Sequence, residues 1–571
     1  MSRLIALSNR VKLPDNGPMA GGLAVALNDV LKGRSVIWMG WNGDIDDTDN
    51  NRVNNRDSNE FSQQERTVKS SDTDIQKTSS TITYVTTALT SKQYQHYYCG
   101  FANSVLWPLM HEQPSLISQA PEDYAGYQVV NRLFAKALKT IAEPDDVIWV
   151  HDYHFLSVAY HCRQLGMSNR IGLFLHIPFA PLDLWQDLDN STELIHHLAH
   201  YDVVGTQTEQ DKANCFSVCQ HYLKEHLLDN PSVAPNANKQ SFTKLEQYKH
   251  SDSTQLTLNL DLDAAHSLTI KDYPIGVNVA RIQQQVSGLS SPLSVAKNVQ
   301  KDTIKPTTQQ IIAVDRIDYS KGLLERFSAY RTFLQQNPQY QNQLKFLQIA
   351  CPSRLDLPVY QQLYNEVRQA VNEVNEQFTP TKSAQYCSNG LYEATGEAHN
   401  FKANRVRGDS IITNSITADT CQDDDVIDSC KNGINDVKTD WQAITYSENV
   451  LGHEKLMTAF HYSDIGWVNS LKDGMNLVAK EYIAAQNPDN PGVLLLSRYA
   501  GAAAQMQAAV IIDPQQPISI IQGLKTALTM PLAERQERYQ TLMQGLTAYD
   551  IHTWQHSFLE DLYSSRQSNG E

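Results

Sequence analysis

Asp473-Gly474-Met475-Asn476-Leu477-Val478-Ala479-Lys480-Glu481-Tyr482 follows the apolar run Ile465-Gly466-Trp467-Val468 and passes into a helical pattern carried by Leu477, Val478 and Ala479. Read in order, the segment is a strand, a turn-prone loop and a helix. The first turn of such a helix presents backbone N–H groups that no intrahelical carbonyl satisfies, and these suit a diphosphate. Glu481 lies further into the helix, where its carboxylate can accept from ribose hydroxyls. The spacing fits a nucleotide sugar, although the same residues also fit a surface loop before an ordinary amphipathic helix.

The same order recurs outward from this segment. Leu4-Ile5-Ala6-Leu7 is a short buried strand, and Gly21-Gly22 then opens the apolar helix Leu23-Ala24-Val25-Ala26-Leu27. A Gly-Gly step lets backbone amides approach a phosphate, but it falls short of the GxGxxG fingerprint and reads equally as a turn. Val147-Ile148-Trp149-Val150 runs into His151-Asp152-Tyr153-His154, and Ile171-Gly172-Leu173-Phe174-Leu175 runs into His176-Ile177-Pro178-Phe179. Polar clusters at successive strand ends lie on the ligand side of an open α/β sheet. A second series begins at Gln310-Ile311-Ile312-Ala313-Val314, which leads into Asp315-Arg316-Ile317-Asp318-Tyr319-Ser320-Lys321-Gly322. Lys345-Phe346-Leu347-Gln348-Ile349-Ala350 leads into Cys351-Pro352-Ser353-Arg354, and runs at 492–497 and 508–512 complete an alternation of strands and helices. The expected fold class is α/β, each half a parallel sheet with helices on both faces.

A chain of 571 residues is too long for a single core, so two large domains are expected. We place them at 1–280 and 281–548, with a linker rich in Ser, Gln, Lys and Thr at about 280–308. Polar excursions at about 44–80 and 225–268 and a polar insertion at about 380–440 read as loops with little core of their own. The aromatic stretch 97–108 fits core or ligand contact. In the last segment, 549–571, apolar residues at 551, 554, 558, 559 and 562 form one face of a helix expected to pack back on the N-terminal domain.

A hydrophobic fraction of 41% and a net charge of −16 describe a folded soluble protein and argue against nucleic-acid or anionic membrane partners. No apolar run approaches a membrane span. Any anionic substrate must therefore meet basic residues gathered locally. The eight cysteines form no CxxC pair, those outside 387–430 lie mostly in apolar surroundings, and a reducing, cytoplasmic setting follows. No His/Cys spacing matches a zinc site, so no metal is expected.

Arg10, Asp152, His176, Arg316, Lys321, Arg354, Asp473 and Glu481 stand at strand ends of both halves, with four cations among them. The ordered set Ser8-Asn9-Arg10, Gly21-Gly22-Leu23-Ala24-Val25, 149–154, 175–179, 316–322, Ser353-Arg354 and 473–481 resembles the trehalose-6-phosphate synthase family over most of the chain. These are retaining glycosyltransferases with two facing Rossmann-like domains, the GT-B fold. The chain departs from the family pattern in its polar insertions and at Lys472, where such proteins usually carry Arg.

The resemblance implies transfer of glucose from UDP-glucose to glucose 6-phosphate, without a cofactor. It assigns catalytic roles to Arg316, Lys321, His176 and Asp473. Donor binding falls to Gly21, Gly22, Arg316, Lys321, Leu451, Leu477, Val478, Ala479, Lys480 and Glu481. Acceptor binding falls to Arg10, Trp41, Tyr98, Asp152 and Arg354, and anomer selectivity to Trp107, His176 and Ile177. Homo-oligomerisation is compatible with it. A catalytically silent subunit would be expected to lose a cation at 316 or 321, and neither is lost. Another phosphorylated acceptor, or ADP- or GDP-glucose as donor, stays open.

Overall fold

The computed structural model describes residues 3–11, 36–47, 64–69, 81–228, 254–260, 262, 264–289, 309–378 and 441–564. Among these, nine strands form an N-terminal sheet: β1 (Leu4–Arg10), β2 (Val36–Ile45), β3 (Gln64–Lys69), β4 (Thr81–Leu89), β5 (Val147–His151), β6 (Arg170–Phe174), β7 (Val203–Thr206), β8 (Thr254–Leu258) and β9 (His266–Asp272). Their spatial order is β3-β4-β2-β1-β5-β6-β7-β9-β8. Six more form a C-terminal sheet: β10 (Gln310–Arg316), β11 (Lys345–Cys351), β12 (Thr445–Ser447), β13 (Ile465–Val468), β14 (Val493–Ser497) and β15 (Val510–Ile512), ordered β12-β11-β10-β13-β14-β15. The central strands are buried along their whole length, as the unbroken apolar runs of β5, β13 and β14 require when helices cover both faces.

The expected α/β architecture of two predominantly parallel sheets is met, and the edges of the first depart from the expectation. The N-terminal sheet is mixed, because β3 pairs antiparallel with β4 and β8 antiparallel with β9 at its two edges. The tracts expected to be loops at 44–80 and 225–268 accordingly contribute β3, β8 and the start of β9. In β9, alternate residues are buried, and burial on one side of an edge hairpin stabilises a strand that polar composition conceals. The 380–440 insertion lies outside the described residues, as do Gly21 and Gly22.

Among the parallel strands of each sheet the order reverses once, between β1 and β5 and between β10 and β13. Loops leaving neighbouring strands there diverge to opposite faces and open a crevice at the carboxyl ends.

The final helix, Ile551–Ser564, packs against the N-terminal sheet although the preceding helix, Leu532–Ala548, belongs to the C-terminal half. Trp554, Phe558 and Leu562 are fully enclosed, with Trp149 5.1 Å from Trp554 and stacked at 5.3 Å on Phe558. Gly172 in β6 and Gly205 in β7 make room. A Cβ at 172 would come within 2.9 Å of Phe558 and one at 205 within 2.8 Å. Polar contacts seal the rim, where Asp561 takes Lys271 at 2.8 Å and the Tyr273 hydroxyl at 2.7 Å. Trp554→Ala should therefore lower unfolding free energy by about 3–5 kcal/mol, read from urea denaturation. A loss below about 1 kcal/mol would show that the helix is not held by this packing.

Candidate active site

At the C-terminal switch point, Arg316 ends β10 exposed, and Lys321 closes the short turn Tyr319–Lys321. Lys321 Nζ lies 2.5 Å from Asp473 Oδ2 in the loop after β13. The same oxygen accepts from Ser470 Oγ and Asn476 Nδ2, each at 3.0 Å. Burial alone would raise the Asp473 carboxyl, but Lys321 and Asn476 hold it below the usual range. Asn476, at φ 71°, caps the helix Leu477–Ala484 by accepting from the Ala479 amide. The quoted loop is thus built twice over: an ion pair ties it to β10, and a side-chain cap aims the helix N-terminus at the cleft. Leu477 and Val478 occupy that first turn, and buried Glu481 lies one turn on, 3.7 Å from His453 Nε2. Leu451 is buried just before the helix His453–His461.

Lys480 goes elsewhere. Its ammonium is buried against the Ile275 carbonyl and Gln505 Oε1, both at 2.7 Å, and burial pushes its pKa down to about 7. On a helix, neighbours one residue apart face about 100° apart, so Lys480 and Glu481 cannot share one ligand face. The Lys480 ammonium is thereby committed to the junction with Ile275.

At the N-terminal switch point, Arg10 ends β1 with its guanidinium 5.6 Å from the Trp41 ring. Trp41 packs against Tyr94 and Tyr98, which stack on each other at 5.3 Å, and Tyr98 lies parallel to His154 at 6.0 Å. Asp152 follows β5 at φ 74°, a conformation that disfavours a residue with a Cβ. Its Oδ1 accepts from the His176 amide at 3.2 Å, joining the ends of β5 and β6. Burial raises the Asp152 carboxyl to about 6 against the amides of Tyr153 and His176 and the charges of Arg354 and Arg316. His176 is pushed down by burial to about 3 and is neutral near pH 7.

The two switch points meet across Trp107. The Arg354 guanidinium lies 3.8 Å from the Trp107 ring centroid and that of Arg316 5.5 Å, both from the opposite half. Trp107 is itself held by His111, stacked at 4.0 Å, whose Nδ1 contacts the Trp107 carbonyl at 2.8 Å. Arg354, at φ 52°, donates through Nη1 to Asp318 at 2.7 Å and Tyr360 at 2.6 Å, and through Nη2 to the Tyr153 hydroxyl at 3.3 Å. Its Nε is buried without a partner. Asp318 is fully buried, yet Arg354, Arg316, His111 and Lys321 hold its carboxyl well below the usual range. Further contacts bridge the halves. Tyr94 donates to Asp356 at 2.6 Å, Lys472 pairs with Glu112 at 2.6 Å beside a cavity of about 340 Å³, and Gly474 sits on the His176 carbonyl and Ile177. Among the described residues no group of His, Cys, Asp or Glu is arranged to hold a metal ion.

Two facing Rossmann-like units with cations converging between them match the model for glycosyltransferase family 20 over residues 12–388 and 419–564. The chain belongs to glycosyltransferase family 20. Among family 20 relatives, trehalose-6-phosphate synthase of Sodalis glossinidius is 32% identical over 98% of this chain and 96% of its own length. An α,α-trehalose-phosphate synthase (UDP-forming) from Burkholderia xenovorans, solved in complex with glucose-6-phosphate, superposes with a TM-score of 0.72. It is 30% identical and covers 98% of this chain and 100% of its own. The E. coli structure described as trehalose-6-phosphate bound with UDP-2-fluoro glucose gives 0.70 at 31% identity, covering 99% of both chains.

In this family 20 chain, therefore, Arg316, Lys321, Asp473, Trp107, His176, Ile177, Asp152 and Arg354 are gathered into one cleft from both halves. Arg10, Trp41 and Tyr98 pack in sequence on the N-terminal half, ending against His154. Sequence reasoning missed Asp318, Tyr153 and Tyr360, which hold Arg354, and His151, whose Nδ1 lies 3.2 Å from His176 Nε2. His151 and Tyr153 offered a signal as members of the polar cluster after β5, and Asp318 as a second acid in the loop that carries Arg316 and Lys321, whereas Tyr360 offered none.

Proposed function

We propose that the chain transfers glucose from UDP-glucose to glucose 6-phosphate with retention, yielding α,α-trehalose 6-phosphate and UDP. The observation that carries this reading is the meeting of Arg316 and Arg354 from one half over Trp107 of the other. It joins a site for a departing diphosphate to a site for an anionic acceptor. The names of the family 20 relatives support the same substrates.

The diphosphate lies at the N-terminus of Leu477–Ala484, whose first-turn amides and positive dipole end favour it. Arg316 and Lys321 neutralise the charge that grows on it as the glycosidic bond breaks. Glu481 takes the ribose and the main chain near Leu451 the uracil. His176 and Asp473 hold the transferred glucose. Arg10, Trp41, Tyr98 and Arg354 receive the acceptor, with Asp152 on its hydroxyls and Trp107 and Ile177 walling the anomeric centre. The acceptor hydroxyl attacks on the face the leaving group departs from, and a leaving-phosphate oxygen takes its proton. The thiols among the described residues are all free, four of them buried, which accords with a cytoplasmic enzyme.

Arg354 provides the test of the acceptor. With UDP-, ADP- and GDP-glucose each assayed as donor, Arg354→Ala should reduce kcat/KM for glucose 6-phosphate by about 10- to 150-fold. Poor use of free glucose, which lacks the phosphate, should hardly change. The substitution also strands buried Asp318, so the melting temperature is measured alongside. Equal losses with both acceptors in a folded variant would remove the phosphate assignment.

A further inference from the structure

The contact between His151 and His176 lies in a part of the cleft that the proposed reaction leaves without a role for His151. His151 ends β5 fully buried, His176 follows β6 half-buried, and their Nδ1 and Nε2 atoms are 3.2 Å apart. Burial pushes both rings well below the ordinary histidine range, so both are neutral, and one proton occupies the space between two nitrogens. Two arrangements satisfy that count. Either His151 Nδ1–H donates to His176 Nε2, or His176 Nε2–H donates to His151 Nδ1 and the His151 proton moves to its own Nε2.

The surroundings separate them. His151 Nε2 is buried with no partner. Trp149 lies 4.5 Å from the His151 ring, and Phe174 and Trp554 lie 4.7 and 6.2 Å from His176. The indole nitrogens of Trp149 and Trp554 are buried without partners too, and both are donors. The aromatic shell therefore holds no acceptor for a proton at His151 Nε2. A buried N–H with no acceptor is rarer and costlier than an idle lone pair, so the first arrangement is favoured.

We propose that His151 is a positioning residue that holds His176 as its Nδ1–H tautomer, so that His176 offers a hydrogen-bond donor, not an acceptor, to the transferred glucosyl group. The proposal rests on the reading above for what His176 touches. The tautomer itself does not depend on that reading. The Asp152 bond to the His176 amide fixes the backbone of the same residue, so ring and main chain are set by two consecutive residues of one strand end.

The test uses full-length protein labelled with ¹⁵N in its histidine rings, with long-range ¹H–¹⁵N correlation and a His176→Gln variant to assign the resonance. Native protein and His151→Asn, whose amide places a donor near the former Nδ1, should show His176 protonated at Nδ1. His151→Asp, read at about pH 9 where its carboxylate is ionised and offers only acceptors, should move that proton to Nε2. kcat should fall about 10-fold in His151→Asp and His151→Phe with KM for glucose 6-phosphate unchanged, and His151→Asn should restore it to within about threefold. A native spectrum with His176 protonated at Nε2 overturns the proposal whether or not any variant folds. So does a His151→Asp spectrum identical to the native one. Failure of the substrate assignment would instead appear as absent transfer with the tautomer as described.

Discussion

Lys321→Ala is expected to lower kcat by about 10²- to 10³-fold, the scale seen when one preorganised group that stabilises developing charge is removed. Lys321 is held, not waving. Its ion pair with Asp473 at 2.5 Å joins the loop after β10 to the loop after β13, and Ser470 and Asn476 donate to the same carboxylate oxygen. Alanine removes the cation and leaves Asp473 negative beside the place proposed for the diphosphate, so repulsion adds to the lost attraction. Asp473 retains two hydrogen-bond donors, and the fold should survive, as circular dichroism melting will show. The effect should fall on kcat at saturating UDP-glucose, with KM for glucose 6-phosphate changed less than about threefold. A variant with native kcat and only a raised donor KM would make Lys321 a ground-state binder and take away its part in bond cleavage.

Gly474→Ala should cost about 10²-fold in kcat/KM without unfolding either half. A Cβ at 474 would overlap the His176 carbonyl oxygen and crowd the Ile177 Cα at 3.0 Å, and these atoms belong to the opposite domain's main chain. No side-chain rotation relieves that contact. The loop carrying Asp473 must back away by about 1 Å, a displacement of reacting groups large enough for a loss of that order. Gly501, packed on Gly474 from behind, limits the retreat. Small-angle scattering should show a less closed shape, whereas full activity in Gly474→Ala would mean that the halves never approach this closely during turnover.

Both substitutions bear on features that differ in how far they could be read in advance. The strand-loop-helix reading of 465–482 and the positions of Arg316 and Lys321 follow from periodicity and from polar residues placed after apolar runs. Both are properties of contiguous sequence. The amphipathic face of the last helix was equally legible, since 551, 554, 558, 559 and 562 are all buried, with Gln555 the one polar residue added to them. Edge strands β3 and β8 were not, because a strand at the edge of a sheet can keep a polar composition. The partners of the Lys480 ammonium were not legible either, because a resemblance of motifs does not say which way each side chain of a helix turns.

The amino-acid order by itself determined two α/β halves, which loops carry chemistry, and that cations must be concentrated locally in a chain of net charge −16. Only the tertiary structure decided that Arg354 reaches Trp107 and is held by Asp318 and Tyr360, and that Lys480 serves the domain junction. It also decided that His151 stands behind His176. The reason is physical. Local pattern governs which residues are buried within an element, whereas these partners lie on different strands or different domains. Their distances follow from sheet order and from how closely two backbones approach at a glycine.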